Sequence, residues 1–177
     1  MELLTLDAPE HFQLAARWLA QKENYQWLEF SDGRQQVSPE WLKISIQRRS
    51  LVVRLFTTDA DRTPIGIVAL GNINPHFKTA NIWVVVGDKS YVVRGYATRA
   101  ASRMLTLGFK ELGLQAIHTW IVEHNPSIKI TKRLKFRLIG RQRQCHCIDG
   151  QMYDRLWFDL LHSEHQETLD VPQQRSA

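Results

Sequence analysis

The sequence is poor in cysteine and has no long hydrophobic run. Its 177 residues include 2 cysteines, Cys145 and Cys147, which are too few for a disulfide framework and too close together for an ordinary disulfide. No apolar stretch approaches the roughly 20 residues that cross a bilayer, and the first residues lack the basic start and apolar centre of a signal peptide. We therefore expect a cytoplasmic protein with no membrane partner.

The composition is that of one compact domain with a modest positive charge. Hydrophobic residues make up 44% and charged residues 23% of the chain, and 23 Lys and Arg stand against 18 Asp and Glu. The excess favours acidic ligands such as phosphates. Basic residues are densest between positions 129 and 143, where they could face RNA or an acidic protein. Because aromatic residues are scarce there, we favour a solvated face and expect no nucleic-acid partner.

The first half of the chain predicts two helices and an antiparallel meander. Asp7, as an N-cap with Glu10 three residues later, forms a capping box before the first helix. Ser38 followed by Pro39 repeats this logic and starts a second helix that runs to about Arg48. Runs of β-branched residues between turn residues then predict three strands, at 51–58, 65–73 and 79–87.

The second half predicts a long helix, a strand, a short helix and a closing strand pair. The helices span about Tyr96 to Leu112 and Pro126 to Leu134, and the strands span 116–122, 136–148 and 151–161. The predicted fold class is therefore α+β around one mixed sheet. Residues past His162 are polar and lack periodicity, so we expect a domain of residues 1–162 and a disordered tail of residues 163–177.

The segment VVRGYA, residues 92–97, joins the third predicted strand to the long helix. The apolar stripe of that helix begins almost at its first turn, so the start of the helix is held against the sheet. A helix start presents unpaired N–H groups and a partial positive charge, and Gly95 lets a ligand approach the main chain. The hinge suits a pyrophosphate, although Gly95 could equally serve a tight turn alone.

Five features of the second half resemble the GNAT superfamily of acyl-CoA N-acyltransferases. They are RGYATRA, LGFKELGL, the pair Asn125 and Ser127, Phe136, and DGQMYDRLWFDLL. The similarity covers about residues 65–162 by motif, and the branch concerned contains ribosomal-protein N-terminal, spermidine and amino-sugar acetyltransferases. It implies a single GNAT-like domain with a central mixed twisted sheet of six to seven strands, flanked by helices, with splayed central strands.

The resemblance also implies acetyl-CoA as the acyl donor, with no metal. In that family, main-chain N–H groups of a loop written Gln/Arg-x-x-Gly-x-Gly/Ala hold the pyrophosphate, and the pantetheine arm pairs with the splayed strands. Val92 departs from the first position of that loop. For the strand side chains, as opposed to the main chain, we favour an ordinary core role. The residues implied to bind CoA are Val85, Val93, Arg94, Gly95, Tyr96, Ala97, Thr98 and Asn125.

Asn125 and Ser127 are the implied catalytic residues, since relatives place an asparagine and a serine there beside the CoA arm and its thiol. Asn125 before Pro126 is also a helix cap, so a structural role stays open. Asn81 and Thr131 occupy the positions where many relatives carry a glutamate base and a tyrosine acid. Positioning of a neutral amine can supply much of the rate without them. Candidates for a proton relay are His76, Asp88, Glu123 and His124.

The implied function is transfer of an acetyl group from acetyl-CoA to a primary amine of a small molecule, by direct attack through a tetrahedral intermediate. The acceptor would be an amino sugar, a polyamine or an amino-acid derivative. Two alternatives stay open: an N-terminal acetyltransferase of a ribosomal or other protein, and a CoA-binding module without turnover. An acyl carrier protein or a ribosomal protein stays open as a partner, and we expect a monomer or a homodimer.

Overall fold

A computed structural model describes residues 1–29 and 37–167 of the chain. Within these residues strands and helices follow one another along one domain. The strands are β1 (Leu3–Thr5), β2 (Val52–Thr57), β3 (Pro64–Asn74), β4 (Thr79–Val86), β5 (Ala116–Val122), β6 (Arg137–Ile148) and β7 (Gln151–Leu161). The α-helices are α1 (Pro9–Leu19), α2 (Lys22–Tyr25), α3 (Pro39–Ile46), α4 (Tyr96–Thr106) and α5 (Ile128–Arg133).

The seven strands form one mixed sheet in the order β1-β2-β3-β4-β5-β7-β6. Neighbouring strands are antiparallel except β4 and β5, which run parallel. These two central strands pair only where Thr79, Ala80 and Asn81 face 116–118, and they separate beyond that point. The structure therefore confirms the predicted α+β class, the splayed central strands and the mixed sheet of six to seven strands, which has seven.

Helices cover both faces of the sheet, and β3 shows why. Val68 and Leu70 on β3 pack in one buried cluster with Met104 of α4, whereas Ile67 and Ala69 face the opposite cluster, which contains α1 and α3. A strand buried on both faces reads as a continuous apolar run rather than an alternating one, as β3 does. The core therefore lies in two layers, with the sheet between them.

The first helix begins one residue later than predicted. Asp7 is not the N-cap, because Ala8 holds that position with an extended backbone and Pro9 starts the helix. A residue before proline is driven out of the helical region, which explains the shift. Asp7 instead lies 3.3 Å from Nδ1 of His11. The cap of the second helix is confirmed, since Oγ of Ser38 accepts a hydrogen bond from the N–H of Trp41 at 3.1 Å.

Other helix boundaries differ by a turn or less. The long helix is regular to Thr106 and continues as a π-helical turn at Leu107–Glu111, and α5 starts at Ile128 rather than Pro126. After β7 a short 3₁₀ turn, His162–Glu164, leads to His165, whose Nε2 lies 2.8 Å from Oγ1 of Thr106. The boundary at residue 162 stays a prediction, and residues 168–177 lie outside the described part of the chain. Among the described residues, no helix combines the length and the apolar character that crossing a membrane requires.

Candidate active site

A cavity of about 440 Å³ opens where β4 and β5 separate. Its walls come from four places: the splayed strand ends, the start of α4, helix α5, and residues 23–29 around α2. The strand ends contribute Ile82–Val86 and Thr119–Ile121, whose facing main chains do not pair with each other. The cavity therefore brings unpaired strand backbone, a helix start and a separate side-chain wall into one space.

The loop before α4 is built to present backbone N–H groups. Gly95 is the N-cap of α4 and has a left-handed backbone, with φ of 83°. Val93 also has a positive φ, of 61°. The first helical N–H groups have no acceptor within the helix, so those of Tyr96, Ala97 and Thr98 are available to a ligand. They also lie at the positive end of the helix dipole, an arrangement that binds phosphate.

Most of the residues predicted to bind CoA lie on this cavity. Its lining includes Val85, Val93, Gly95, Tyr96, Ala97, Thr98 and Asn125. Arg94 lies outside that lining, and its guanidinium carbon is 5.2 Å from the centre of the Tyr91 ring. The geometry brings the loop and β4 together, while a direct role of each residue in CoA binding stays a prediction.

Asn125 and Ser127 both line the cavity, at the turn that leads into α5. Oδ1 of Asn125 accepts a hydrogen bond from the N–H of Ser127 at 2.9 Å, so this side chain also shapes the turn. Ser127 is the N-cap of α5 and makes no capping bond through its hydroxyl. The predicted N-cap role of Asn125 is therefore wrong, because α5 begins two residues later, at Ile128. A catalytic role for either residue stays a prediction.

The positions of the usual acid and base lie on the cavity but hold other side chains. Thr131 is buried there, and its hydroxyl donates to the carbonyl oxygen of Ile128 at 2.9 Å. Asn81 lies at the last position of β4 that pairs with β5. Its buried Oδ1 has no hydrogen-bond partner among the described residues. Neither side chain is a base of useful strength near neutral pH.

The four relay candidates lie outside the cavity lining. Asp88 accepts hydrogen bonds from Ser90, and Glu123 lies 3.2 Å from Nη1 of Arg141. The ring of His124 packs against Trp27 and Tyr153. His76 packs against the neighbouring Phe77. A relay through these residues is therefore not supported by their positions.

Several charged residues of the cavity were not singled out from the sequence. Glu23 and Glu29 line it from the α2 side, together with Lys89. Nζ of Lys89 donates to the carbonyl oxygen of Val86 at 2.9 Å and to Oδ1 of Asn24. Desolvation lowers the pKa of Lys89, and the Glu23 charge partly opposes that shift. No local pattern marks these residues, because only tertiary folding brings them to one wall.

The sheet has seven strands, and a wedge between two parallel strands faces a helix start that can bind phosphate. This combination is typical of acyl-CoA-dependent acyltransferases. A family model of the acetyltransferase (GNAT) domain matches residues 2–137, which is most of the chain. The chain belongs to the GNAT acetyltransferase family. This membership confirms the family that the sequence motifs resembled.

Two relatives from Bacillus subtilis (strain 168) are similar in sequence. The uncharacterized N-acetyltransferase YnaD is 31% identical over 83 residues, which are 46% of this chain and 48% of YnaD. The SPbeta prophage-derived uncharacterized N-acetyltransferase YokL is 23% identical over 126 residues, which are 71% of this chain and 70% of YokL. The matched region thus spans about half of YnaD and a larger share of YokL.

Solved structures of a spermidine N-acetyltransferase from Vibrio cholerae share the fold. The complex of that protein with CoA and spermine has a TM-score of 0.80 and 18% identity, covering 92% of this chain and 96% of the other. A dodecameric structure of the same protein has a TM-score of 0.76 and 20% identity, covering 92% and 94%. At these identities the similarity establishes the fold, and the predicted GNAT-like architecture is confirmed.

Proposed function

We propose that the chain is an N-acetyltransferase that moves an acetyl group from acetyl-CoA to a primary amine of a small cationic molecule. The observation that carries the proposal is the wedge between β4 and β5, which opens directly onto the start of α4. A wedge of this kind accepts an extended arm along a strand, and the helix start accepts a diphosphate at one end of that arm.

The donor would lie along β4 with its diphosphate on the N–H groups of 96–98. Residues 82–86 have no β5 partner, so their main chain is available to the pantetheine amides. Val85 would support the arm, and Asn125 would face it from the turn between β5 and α5. Lys129 and Arg133 of α5 line the same cavity and add positive charge for the phosphates. Arg94 is not part of the cavity lining, so its side chain would have to move to reach the phosphates.

The reaction would proceed by direct attack. The amine nitrogen bonds to the thioester carbonyl carbon, and strand N–H groups at the wedge hold the oxygen as it becomes an oxyanion. The C–S bond then breaks, with Ser127 near the departing sulfur. The thiolate takes up a proton from water, and the amine loses its proton to water, because position 81 carries an amide instead of a carboxylate.

The acceptor side of the cavity favours a cation. Glu23 and Glu29 both lie on its wall. Glu29 is paired with Arg155 behind the wall, and Glu23 offers an ammonium group the opposite charge. The fold similarity to a spermidine N-acetyltransferase captured with spermine supports a polyamine ahead of an amino sugar. A ribosomal protein N-terminus or an acyl carrier protein as partner stays a prediction, as do the cytoplasmic location and the oligomeric state.

Thiol release from acetyl-CoA, measured with polyamines, amino sugars, amino-acid amides and an N-terminal peptide, tests this function. We expect the highest kcat/KM with a polyamine, and faster release from acetyl-CoA than from longer acyl-CoAs. Gly95→Val should weaken CoA binding about tenfold or more, since a β-branched residue is strained at this φ and crowds the N–H groups.

Gly140→Val is the matched control, because no atom lies within 4 Å of a Cβ at Gly140. Calorimetry with CoA should give wild-type affinity for this variant. CoA binding without thiol release for any amine would support the binding-module alternative and overturn the proposed activity. Equal loss of affinity in both glycine variants would overturn the placement of the diphosphate.

A further inference from the structure

Arg155 of β7 is a nearly buried cation that joins three other parts of the chain. Its side chain is 12% exposed, and Nη1 lies 2.6 Å from Oε2 of Glu29. Its guanidinium carbon sits 3.8 Å from the centre of the Trp120 ring on β5. Nε and Nη2 lie 3.2 and 2.9 Å from Nδ1 of His146 on β6. A buried guanidinium is stable only when paired in this way.

Two of these partners form the wall of the cavity, while Arg155 itself lies behind it. Glu29 and Trp120 line the cavity, and Arg155 and His146 lie outside the lining. Glu29 and Trp120 are far apart in the sequence, so local chain geometry does not set the position of one relative to the other. Arg155 holds both through a planar group whose fork has a defined direction. It therefore contacts both a carboxylate and an indole ring of the cavity wall.

His146 can hold Arg155 in one protonation state only. The histidine is 6% exposed, and its Nε2 lies 2.7 Å from the carbonyl oxygen of Gln26, which can only accept. Nε2 therefore carries the hydrogen, and Nδ1 presents a lone pair to the Arg155 donors. A second proton on Nδ1 would point at those donors and remove both hydrogen bonds.

The surroundings of His146 favour the neutral form. Burial is the main cause that lowers its pKa, and the hydrogen bond to Gln26 acts in the opposite direction. The cation of Arg155 and the nearby His124 lower the pKa further, while the Glu29 carboxylate raises it. Burial therefore favours the neutral imidazole, which the hydrogen bonds from Arg155 also require.

We propose that Arg155 is a positioning residue of the acceptor pocket, held in place by neutral His146, and that it sets the Glu29 carboxylate and the Trp120 ring for acceptor binding. The inference rests on the proposed function. Protonation of His146 frees Arg155 and loosens that wall, whereas the N–H groups of 96–98, proposed to hold the diphosphate, belong to the start of α4. Acid should therefore weaken the binding of the amine and leave the binding of acetyl-CoA unchanged.

Steady-state kinetics between about pH 5 and about pH 9 test this assignment. Arg155→Met should raise the acceptor KM about tenfold and keep the acetyl-CoA KM within about twofold. Arg155→Lys should fall between, since it keeps the charge and loses the fork. His146→Asn keeps an acceptor near the Nδ1 position, so it should retain activity and lose the rise of acceptor KM at low pH.

Arg62→Met is the matched control, because Arg62 also lies 2.6 Å from a glutamate, Glu2, but is exposed and not part of the cavity lining. It should leave both KM values unchanged. An unchanged acceptor KM in Arg155→Met, or an equal rise for both substrates, overturns the assignment. So does a rise of acceptor KM at low pH that persists in His146→Asn.

Ring ¹⁵N spectra of the histidines give a readout that needs no turnover. The His146 signals, assigned by their absence in His146→Asn, should show hydrogen on Nε2, and Arg155→Lys or Arg155→Met should raise the pKa of His146 through the lost hydrogen bonds. If acetyl-CoA binds and no amine reacts, the proposed function fails. The spectra still decide whether neutral His146 holds Arg155. An identical His146 titration in wild type and both Arg155 variants overturns it.

Discussion

Two adjacent valines show, at the scale of single residues, where the chain holds backbone strain. Val92 has an ordinary backbone, with φ of −60°, whereas Val93 has φ of 61° and a side chain that is 97% exposed. A β-branched residue in the left-handed region costs about 1–2 kcal/mol. Packing does not offset that cost, because the Val93 side chain is exposed to solvent. The strained path instead brings the chain to Gly95 and aims the first N–H groups of α4 at the cavity.

Replacement of Val93 by glycine should therefore stabilise the protein. We expect Val93→Gly to raise the free energy of unfolding by about 1 kcal/mol, since glycine adopts this φ without strain. Val92→Gly, at an ordinary φ, should lower it by about 0.5–1 kcal/mol. Urea unfolding monitored by tryptophan fluorescence measures both. A loss of stability in Val93→Gly equal to that in Val92→Gly would show that the loop is not strained.

At the scale of elements, the end of β4 and helix α1 approach each other through a glycine. A Cβ built on Gly87 would lie 2.0 Å from Cδ2 of Trp18, a buried residue of α1. The indole thus rests on the backbone directly after β4. Because α2 and the cavity residues 23–29 follow α1 closely in the chain, this contact joins the segment that leads into one cavity wall to the end of β4.

Gly87→Ala should displace Trp18 and destabilise the protein by about 2–3 kcal/mol. Gly140→Ala on β6 is the control, since nothing lies within 4 Å of its Cβ, and its effect should stay within about 0.5 kcal/mol. Chemical unfolding of both variants gives the comparison. Similar stabilities for the two variants would mean that α1 shifts at little cost and that the contact does not hold α1 against the end of β4.

The elements that the sequence predicted well are those with local patterns. The bounds of β5 agree with the prediction because a buried, β-branched run between turns marks them. Strand β1, with 3 residues, and helix α2, with 4 residues, are too short for a period to show. The loop at Gly95 was predictable because its conformation depends on a local glycine at the start of a helix. Glu29 and Arg155 were not, since more than a hundred residues separate them and a tertiary contact joins them.

At the scale of the whole molecule, Asp59 joins three distant parts of the chain. It lies in the turn between β2 and β3, and its two oxygens are 2.9 and 2.7 Å from Nη1 and Nη2 of Arg99 on α4. The amino group of Met1 lies 2.6 Å from Oδ1. Hydrogen bonds from Arg99 first, and then from the terminal ammonium, hold the pKa of Asp59 well below its usual range. The carboxylate thus links Met1 and the β2–β3 turn to α4.

Global stability should reflect this carboxylate in its dependence on pH. The pKa of Asp59 is lower in the folded state than in the unfolded chain, so its contribution is complete above about pH 4 and is lost as the pH falls toward the folded value. Asp59→Asn should lower the free energy of unfolding near pH 7 by at most about 1 kcal/mol, because the side chain is 52% exposed. The difference in free energy of unfolding between Asp59→Asn and wild type should become smaller as the pH is lowered below about 4. Asp149→Asn, which removes the exposed pair with Lys22, should change stability by less than about 0.5 kcal/mol. A constant gap across the pH range, or equal effects of the two variants, would contradict the role of Asp59 as the link between these three segments.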